Sequence, residues 1–107
     1  MTIMLQCCRA CGTANYPARA VCRACLSDDL AEQADSGEGA LIATTLVHRS
    51  LEPAYAGELP VRVGMVRLDR GPRVLAYVRT DLAVPARVRL ATALNPTGDA
   101  VWRAEPI

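Results

Sequence analysis

From residue 39 onward, apolar residues recur at alternate positions in short runs separated by Gly, Pro, Asn and Asp, the pattern of strands with one buried face. Five strands are expected, over 39–49 (GALIATTLVHR), 61–69 (VRVGMVRLD), 73–80 (RVLAYVRT), 86–94 (ARVRLATAL) and 100–105 (AVWRAE). In the fourth, Ala86, Val88 and Leu90 alternate with Arg87 and Arg89, so one face is buried and the other solvated. The second breaks the rule: Val61 and Val63 set one parity, Val66 and Leu68 the other, with Gly64 between them. One extra residue there would restore the alternation, which predicts a β-bulge in this strand.

Asp69-Arg70-Gly71-Pro72 reads as a tight turn between the second and third strands, and no stretch beyond residue 39 has helical periodicity. Five short antiparallel strands with a bulge predict a small closed barrel of the OB type. Ahead of it, LSDDLAEQADSGEG (26–39) is polar and acidic, and its Gly37 and Gly39 mark a linker or turn. The expected division is therefore 1–36 and 37–107. The chain has 107 residues, 51% of them apolar. That suits a folded core, but the roughly 70 residues left for the barrel make only a small one.

The first 36 residues are organised by cysteine rather than by hydropathy. CRACGTANYPARAVCRACL (8–26) contains Cys-Arg-Ala-Cys twice, and Cys7 stands directly before the first copy. A disulfide framework, a dithiol redox centre and a metal held by thiolates all use such residues. No apolar run reaches the roughly 18 residues needed to span a bilayer, and MTIMLQ lacks the basic start and apolar length of a signal peptide, so the chain is expected in the cytoplasm. A reducing cytosol disfavours disulfides, and five cysteines would leave one unpaired. A redox centre needs a single CxxC at a strand-to-helix junction. Two CxxC knuckles complete the tetrahedral shell of one zinc ion, with Cys8, Cys11, Cys22 and Cys25 as ligands.

Cys8 reproduces the spacing of the second pair and Cys7 does not, which leaves Cys7 as a small buried apolar residue. Gly12 suits the left-handed turn that ends a knuckle, whereas the second knuckle is followed by Leu26, a poorer fit. Four thiolates leave no open position, so the zinc is structural, and with a charge of −2 on the cluster the formal total of +1 becomes about −1. Arg9 and Arg23, one per knuckle, either offset that charge or are solvated.

The order of these motifs is specific. Cys-x2-Cys-Gly is followed by Tyr16-Pro17-Ala18-Arg19, Cys-x2-Cys, Gly-x-Gly before a strand ending in His48-Arg49, and Val-x-Leu-Asp-x-Gly-Pro-Arg. This resembles domain-of-unknown-function family 35, in which a rubredoxin-like zinc ribbon precedes an OB-fold. The resemblance runs from Cys8 to about Leu90, with two departures: Leu26 replaces the usual glycine, and the helical segment that commonly precedes the ribbon is absent. It implies a mainly β protein with an N-terminal zinc ribbon and a five-stranded barrel, with Cys8, Cys11, Cys22 and Cys25 as ligands of one structural zinc. It also implies a non-catalytic subunit of a hetero-oligomer whose partner is a thiolase-like enzyme (thiolase, aldolase or acyltransferase) acting on acyl-CoA.

The alternative is a free-standing OB module that binds acyl-CoA or single-stranded nucleic acid, and the nucleic-acid and enzyme readings fit less well. Single-strand nucleic-acid binders combine a positive groove with stacking aromatics. This chain is nearly neutral, lacks phenylalanine, and has only Tyr16, Tyr55, Tyr77 and Trp102 as aromatic side chains. His48, the sole histidine, has no cysteine nearby outside the zinc set, and no serine-acid-histidine or paired-carboxylate pattern presents itself. His48 and Arg49 are either a strand end entering a loop or contacts to the partner or to an acyl-CoA phosphate. The loop SLEPAYAGELP (50–60), with Tyr55 between small residues and prolines, joins the first two barrel strands, where OB-folds often bind. It is either such a contact or an ordinary surface connection.

Overall fold

The computed structural model describes residues 3–49, 53, 57, 60–78, 82–95 and 97–107. They form eight strands: β1 (Ile3–Cys8), β2 (Ala14–Asn15), β3 (Leu30–Asp35), β4 (Glu38–Val47), β5 (Val61–Leu68), β6 (Arg73–Val78), β7 (Ala86–Leu94) and β8 (Ala100–Pro106). The first three make a small sheet in the order β2-β1-β3, and the last five close into a barrel in the order β4-β5-β6-β8-β7. β7 pairs back onto β4 through Glu38↔Arg89 to Leu41↔Ala86, and the single parallel contact, β6 with β8, completes the ring. This is the mainly β architecture expected, and no helix among the described residues is long and apolar enough to cross a membrane.

The expected barrel strands are all present, because alternation places Leu41, Val66, Val74, Val88 and Ala104 inside. The bulge lies one strand away from its expected place. β4 and β5 pair up to Leu41↔Val66 and resume at Ala43↔Met65, so the extra residue is Ile42 in β4. β5 alternates throughout, with Gly64, Val66 and Leu68 buried and Val61, Val63 and Met65 on the other face. Its irregular parity therefore has a different cause: the strand is apolar on both faces. Gly64 stands at a close approach, since a Cβ there would lie 2.6 Å from Leu41 Cδ1 and 2.8 Å from Val78 Cγ2.

The acidic segment expected as a linker contains β3. Leu30–Asp35 pairs with β1 over six positions, from Ile3↔Asp35 to Cys8↔Leu30. β1 is thus the middle strand, and its backbone donors and acceptors need partners on both edges. A strand at the rim of a sheet tolerates polar side chains well, which is why Glu32 and Gln33 are exposed there. The connection to the barrel is only Ser36-Gly37, fixed by Leu90 N donating to the Gly37 carbonyl at 2.9 Å.

Sheet and barrel share one core. Ile3, Leu5 and Ala14 belong to the same buried cluster as Leu41, Val66 and Leu68 of the barrel. Burying a Leu or Ile side chain fully is worth about 1.5–3 kcal/mol, so Ile3 and Leu5 bind the two units firmly. Polar contacts add to this. Trp102 Nε1 of β8 donates to the Tyr16 hydroxyl at 2.9 Å, and Arg70 Nη1, in the β5–β6 turn, donates to Gln33 Oε1 at 2.7 Å.

Candidate metal centre and outer barrel face

The two CxxC turns converge. Cys8 closes β1, Cys11 follows in the turn towards β2, and Cys22 and Cys25 belong to the loop between β2 and β3. Their four sulfurs lie within 4.8 Å of one another, with Cys8 Sγ 3.5 Å from Cys25 Sγ and Cys11 Sγ 3.7 Å from Cys22 Sγ. A regular zinc tetrahedron with 2.3 Å bonds has sulfur–sulfur edges of about 3.8 Å, so the donor set fits zinc. Cys8 and Cys22 are buried, Cys11 and Cys25 exposed.

The two turns have the same backbone. Gly12 N donates to the Cys8 carbonyl at 2.8 Å, and Leu26 N to the Cys22 carbonyl at 3.0 Å. Gly12 has φ 81° and Leu26 φ 65°. The left-handed conformation costs a residue with a Cβ roughly 1–2 kcal/mol, which Leu26 bears and Gly12 escapes. The Leu26 side chain gains little in return, being 73% exposed.

Hydrogen bonds and crowding set the thiol chemistry. The backbone N–H groups of Ala24 and Cys25, with a further bond from Asn15, bring the Cys22 thiol down to about 6. Cys11 is lowered by its side-chain and backbone bonds to Thr13, whose Oγ1 lies 3.1 Å from the sulfur. Ser27 N–H lowers Cys25, but the adjacent Cys11 and Cys8 sulfurs outweigh it and push this thiol up to about 12. Four crowded sulfurs cannot all ionise beside one another without a cation, and a divalent ion supplies the missing charge.

Sequence reasoning missed Asn15. Its side chain is fully buried, with Nδ2 3.7 Å from Cys22 Sγ and Oδ1 accepting from Arg23 N at 3.1 Å. One amide thus steadies both a sulfur and the turn that carries it, a role metal ligands commonly require of their neighbours. The only available signal was an Asn between two knuckles, which reads equally as a turn residue. Arg9 pairs with Asp29 at 3.3 Å on the surface, and Arg23 Nη2 donates to the Ala14 carbonyl at 3.4 Å.

Cys7 differs from expectation. Alternation along β1 sends it to the face opposite Cys8, on the side of Ile3 and Leu5. There its half-buried thiol donates to Gln33 Oε1 at 3.2 Å and accepts from Arg70 Nη2 at 3.0 Å. It is a polar contact between sheet and barrel rather than an apolar filler. Of the other candidates, His48 and Arg49 are exposed just beyond β4, and Tyr55 lies outside the described residues.

Sequence reasoning also missed the outer face of β5, β6 and β8. Val63, Leu75, Ala76, Tyr77, Val101 and Trp102, the last also packed against the core, line an open apolar groove of about 260 Å³. A second hollow of about 160 Å³, lined in part by Ala43, Met65 and the same Val63 and Leu75, adjoins it. Leu75 is 67% exposed at the centre. The signal was present in the sequence as the two-sided apolar pattern of the second barrel strand.

Comparison with known proteins agrees with this anatomy. The family model described as the ChsH2 rubredoxin-like zinc ribbon domain matches residues 2–31, and that described as the ChsH2 C-terminal OB-fold domain matches residues 32–93. A solved structure described as "Ltp2-ChsH2(DUF35) aldolase" superposes with a TM-score of 0.78 at 24% identity, covering 98% of this chain and 84% of that one. At that identity the likeness is one of fold. No curated protein matches the chain. With family models covering the ribbon and the barrel in turn, the chain belongs to the ChsH2 family of zinc-ribbon and OB-fold proteins, the domain-of-unknown-function family 35 that the order of its motifs indicated.

Proposed function

We propose that this protein is a non-catalytic subunit that binds and supports a thiolase-like enzyme acting on acyl-CoA in the cytoplasm. Cys8, Cys11, Cys22 and Cys25 hold one zinc ion that is structural, since four protein sulfurs leave it no position for water or substrate. The observation that carries the reading is the contrast between this closed site and the open apolar face of the barrel: the chemistry is sealed, and the exposed feature is one suited to protein contact. One fold neighbour is described as an Ltp2-ChsH2 aldolase, which supports a hetero-oligomer with an aldolase or related thiolase-like subunit. His48, Arg49 and Tyr55, around the β4–β5 loop, are assigned to contact with that partner or with an acyl-CoA phosphate.

The test is reconstitution. The purified chain should be inert towards acyl-CoA thioesters, co-purify from its native host with a thiolase-like protein, and be required for that protein's turnover. Arg49→Ala combined with Tyr55→Ala should weaken association or activity while zinc content stays at about one per chain. Tight, salt-sensitive binding of single-stranded oligonucleotides, with no thiolase-like protein recovered, would replace this reading with that of a nucleic-acid module.

A further inference from the structure

The outer face of β5 and β6 combines the apolar strip with an unusual charge arrangement. Tyr77 stands opposite Val63, Leu75 opposite Met65, and Arg73 opposite Arg67. Alternation puts all six on one face, because Gly64, Val66, Val74 and Ala76 between them are buried. The strip therefore runs from the β4–β5 loop end of the barrel to a pair of arginines. Directly opposed residues on a sheet have Cβ atoms about 4.5–5.5 Å apart, and like charges there are destabilising. Both arginines are exposed, and neither forms an ion pair with an acidic residue among those described.

The contrast with the neighbouring arginines is informative. Arg87 is held by both carboxylate oxygens of Asp69 at 2.7 and 2.9 Å, Arg89 pairs with Glu38, and Arg103 pairs with Glu105. The barrel surface supplies acids to these three and leaves Arg67 and Arg73 facing each other. Two guanidinium groups beside an apolar strip complement a carboxylate that follows apolar side chains, which is how interface arginines anchor a partner.

We infer that the Val63–Met65–Leu75–Tyr77 strip and the Arg67–Arg73 pair form the docking site for one segment of the thiolase-like subunit, a run of apolar residues ending in Asp or Glu. The strip provides desolvated area and the arginines fix the direction in which the segment lies. This rests on the functional reading above, and it goes further by naming the face and the chemistry of its occupant.

The experiment uses the full-length zinc-loaded chain expressed in its native host, with a photo-crosslinking amino acid at position 75 and, separately, at exposed position 94 on β7. Irradiation from position 75 should link the chain to the thiolase-like protein at an apolar-acidic segment, and position 94 should give no such product. Leu75→Glu should weaken binding of that purified protein by at least about tenfold. Arg67→Glu combined with Arg73→Glu should do the same and remove the salt dependence of association, and reversing the partner's acidic residue to Arg should restore it. Zinc content and melting temperature of each variant report that the fold is intact.

Recovery of the thiolase-like protein with crosslinks only from elsewhere, and unchanged affinity of Leu75→Glu, would refute this face while leaving the subunit role standing. Crosslinks between two copies of the chain would assign the face to self-association and overturn the inference. Failure to recover any thiolase-like protein would overturn both readings together.

Discussion

Trp102 is the only tryptophan, so the contact between ribbon and barrel can be read directly by fluorescence. Its indole N–H donates to the Tyr16 hydroxyl at 2.9 Å, and Tyr16 follows Asn15, whose amide bonds to Cys22 Sγ. Tyr16→Phe removes one oxygen and leaves the ring in place. The geometry is that of a sound neutral hydrogen bond, worth about 0.5–1.5 kcal/mol net. Both side chains are half-buried, so water can partly replace the lost partner, and about 1 kcal/mol is the fitting value. For a chain of this size that lowers the melting temperature by about 4–8 °C. Zinc content should be unchanged, and Trp102 emission should shift to the red as its N–H turns to water. Stripping zinc from the wild type should produce a larger red shift, because the whole segment holding Tyr16 loses its anchor. Trp102 emission that is indifferent to both the substitution and a chelator would refute the coupling, whatever the melting data show.

Leu26→Gly relieves a left-handed residue whose side chain is mostly in solvent, at the cost of a more flexible unfolded chain. Denaturant titration should show a stabilisation of up to about 1 kcal/mol. Cys8→Ser should abolish zinc binding in a metal assay, whereas Cys7→Ser should keep about one zinc per chain and lose only the contacts to Gln33 and Arg70. Hydrogen bonds from Arg87 hold the Asp69 carboxyl below its ordinary value of 3.8. A depressed folded-state pKa contributes stability that is complete above the unfolded value and lost as pH falls through the folded one. The melting-temperature gap between wild type and Asp69→Asn should therefore be constant near neutrality and close below about pH 4; a gap that widens on acidification would contradict this. Zinc release on acidification affects both proteins alike and cancels in the difference.

The barrel was legible because alternation is a local property: Val88 and Leu90 point inward and Arg87 and Arg89 outward whatever the rest of the chain does. The four clustered cysteines were legible because CxxC spacing is itself the geometry of a knuckle. β3 was not, since LAEQAD has no strand-like pattern and becomes a strand only because β1 has an unfilled edge, a fact of tertiary pairing. The bulge was placed on the wrong strand for a related reason. Apolar residues on both faces of β5 imitate a parity slip, and only the register with β4 distinguishes a bulge from a second face with its own use. Asn15 and the Cys7–Arg70 contact depend on residues brought together across 8 and 63 positions, and no spacing rule reaches them.

The order of the strands also bears on how the protein is made. Every pairing of the β2-β1-β3 sheet lies within residues 3–35, so the four cysteines can gather and take up metal while the remainder is still being synthesised. The barrel has no such freedom. β4 reaches its second neighbour only through β7, with Glu38 and Arg89 51 residues apart, and the ring stays open until β8 arrives. Until then the core around Leu41 and Val66 is incomplete, and the ribbon, with Ile3 and Leu5 in the same buried cluster, offers them an apolar surface that is synthesised first. The shared core and the local pairing of the metal-bearing sheet therefore tie zinc supply to the folding of barrel residues that never touch the ion.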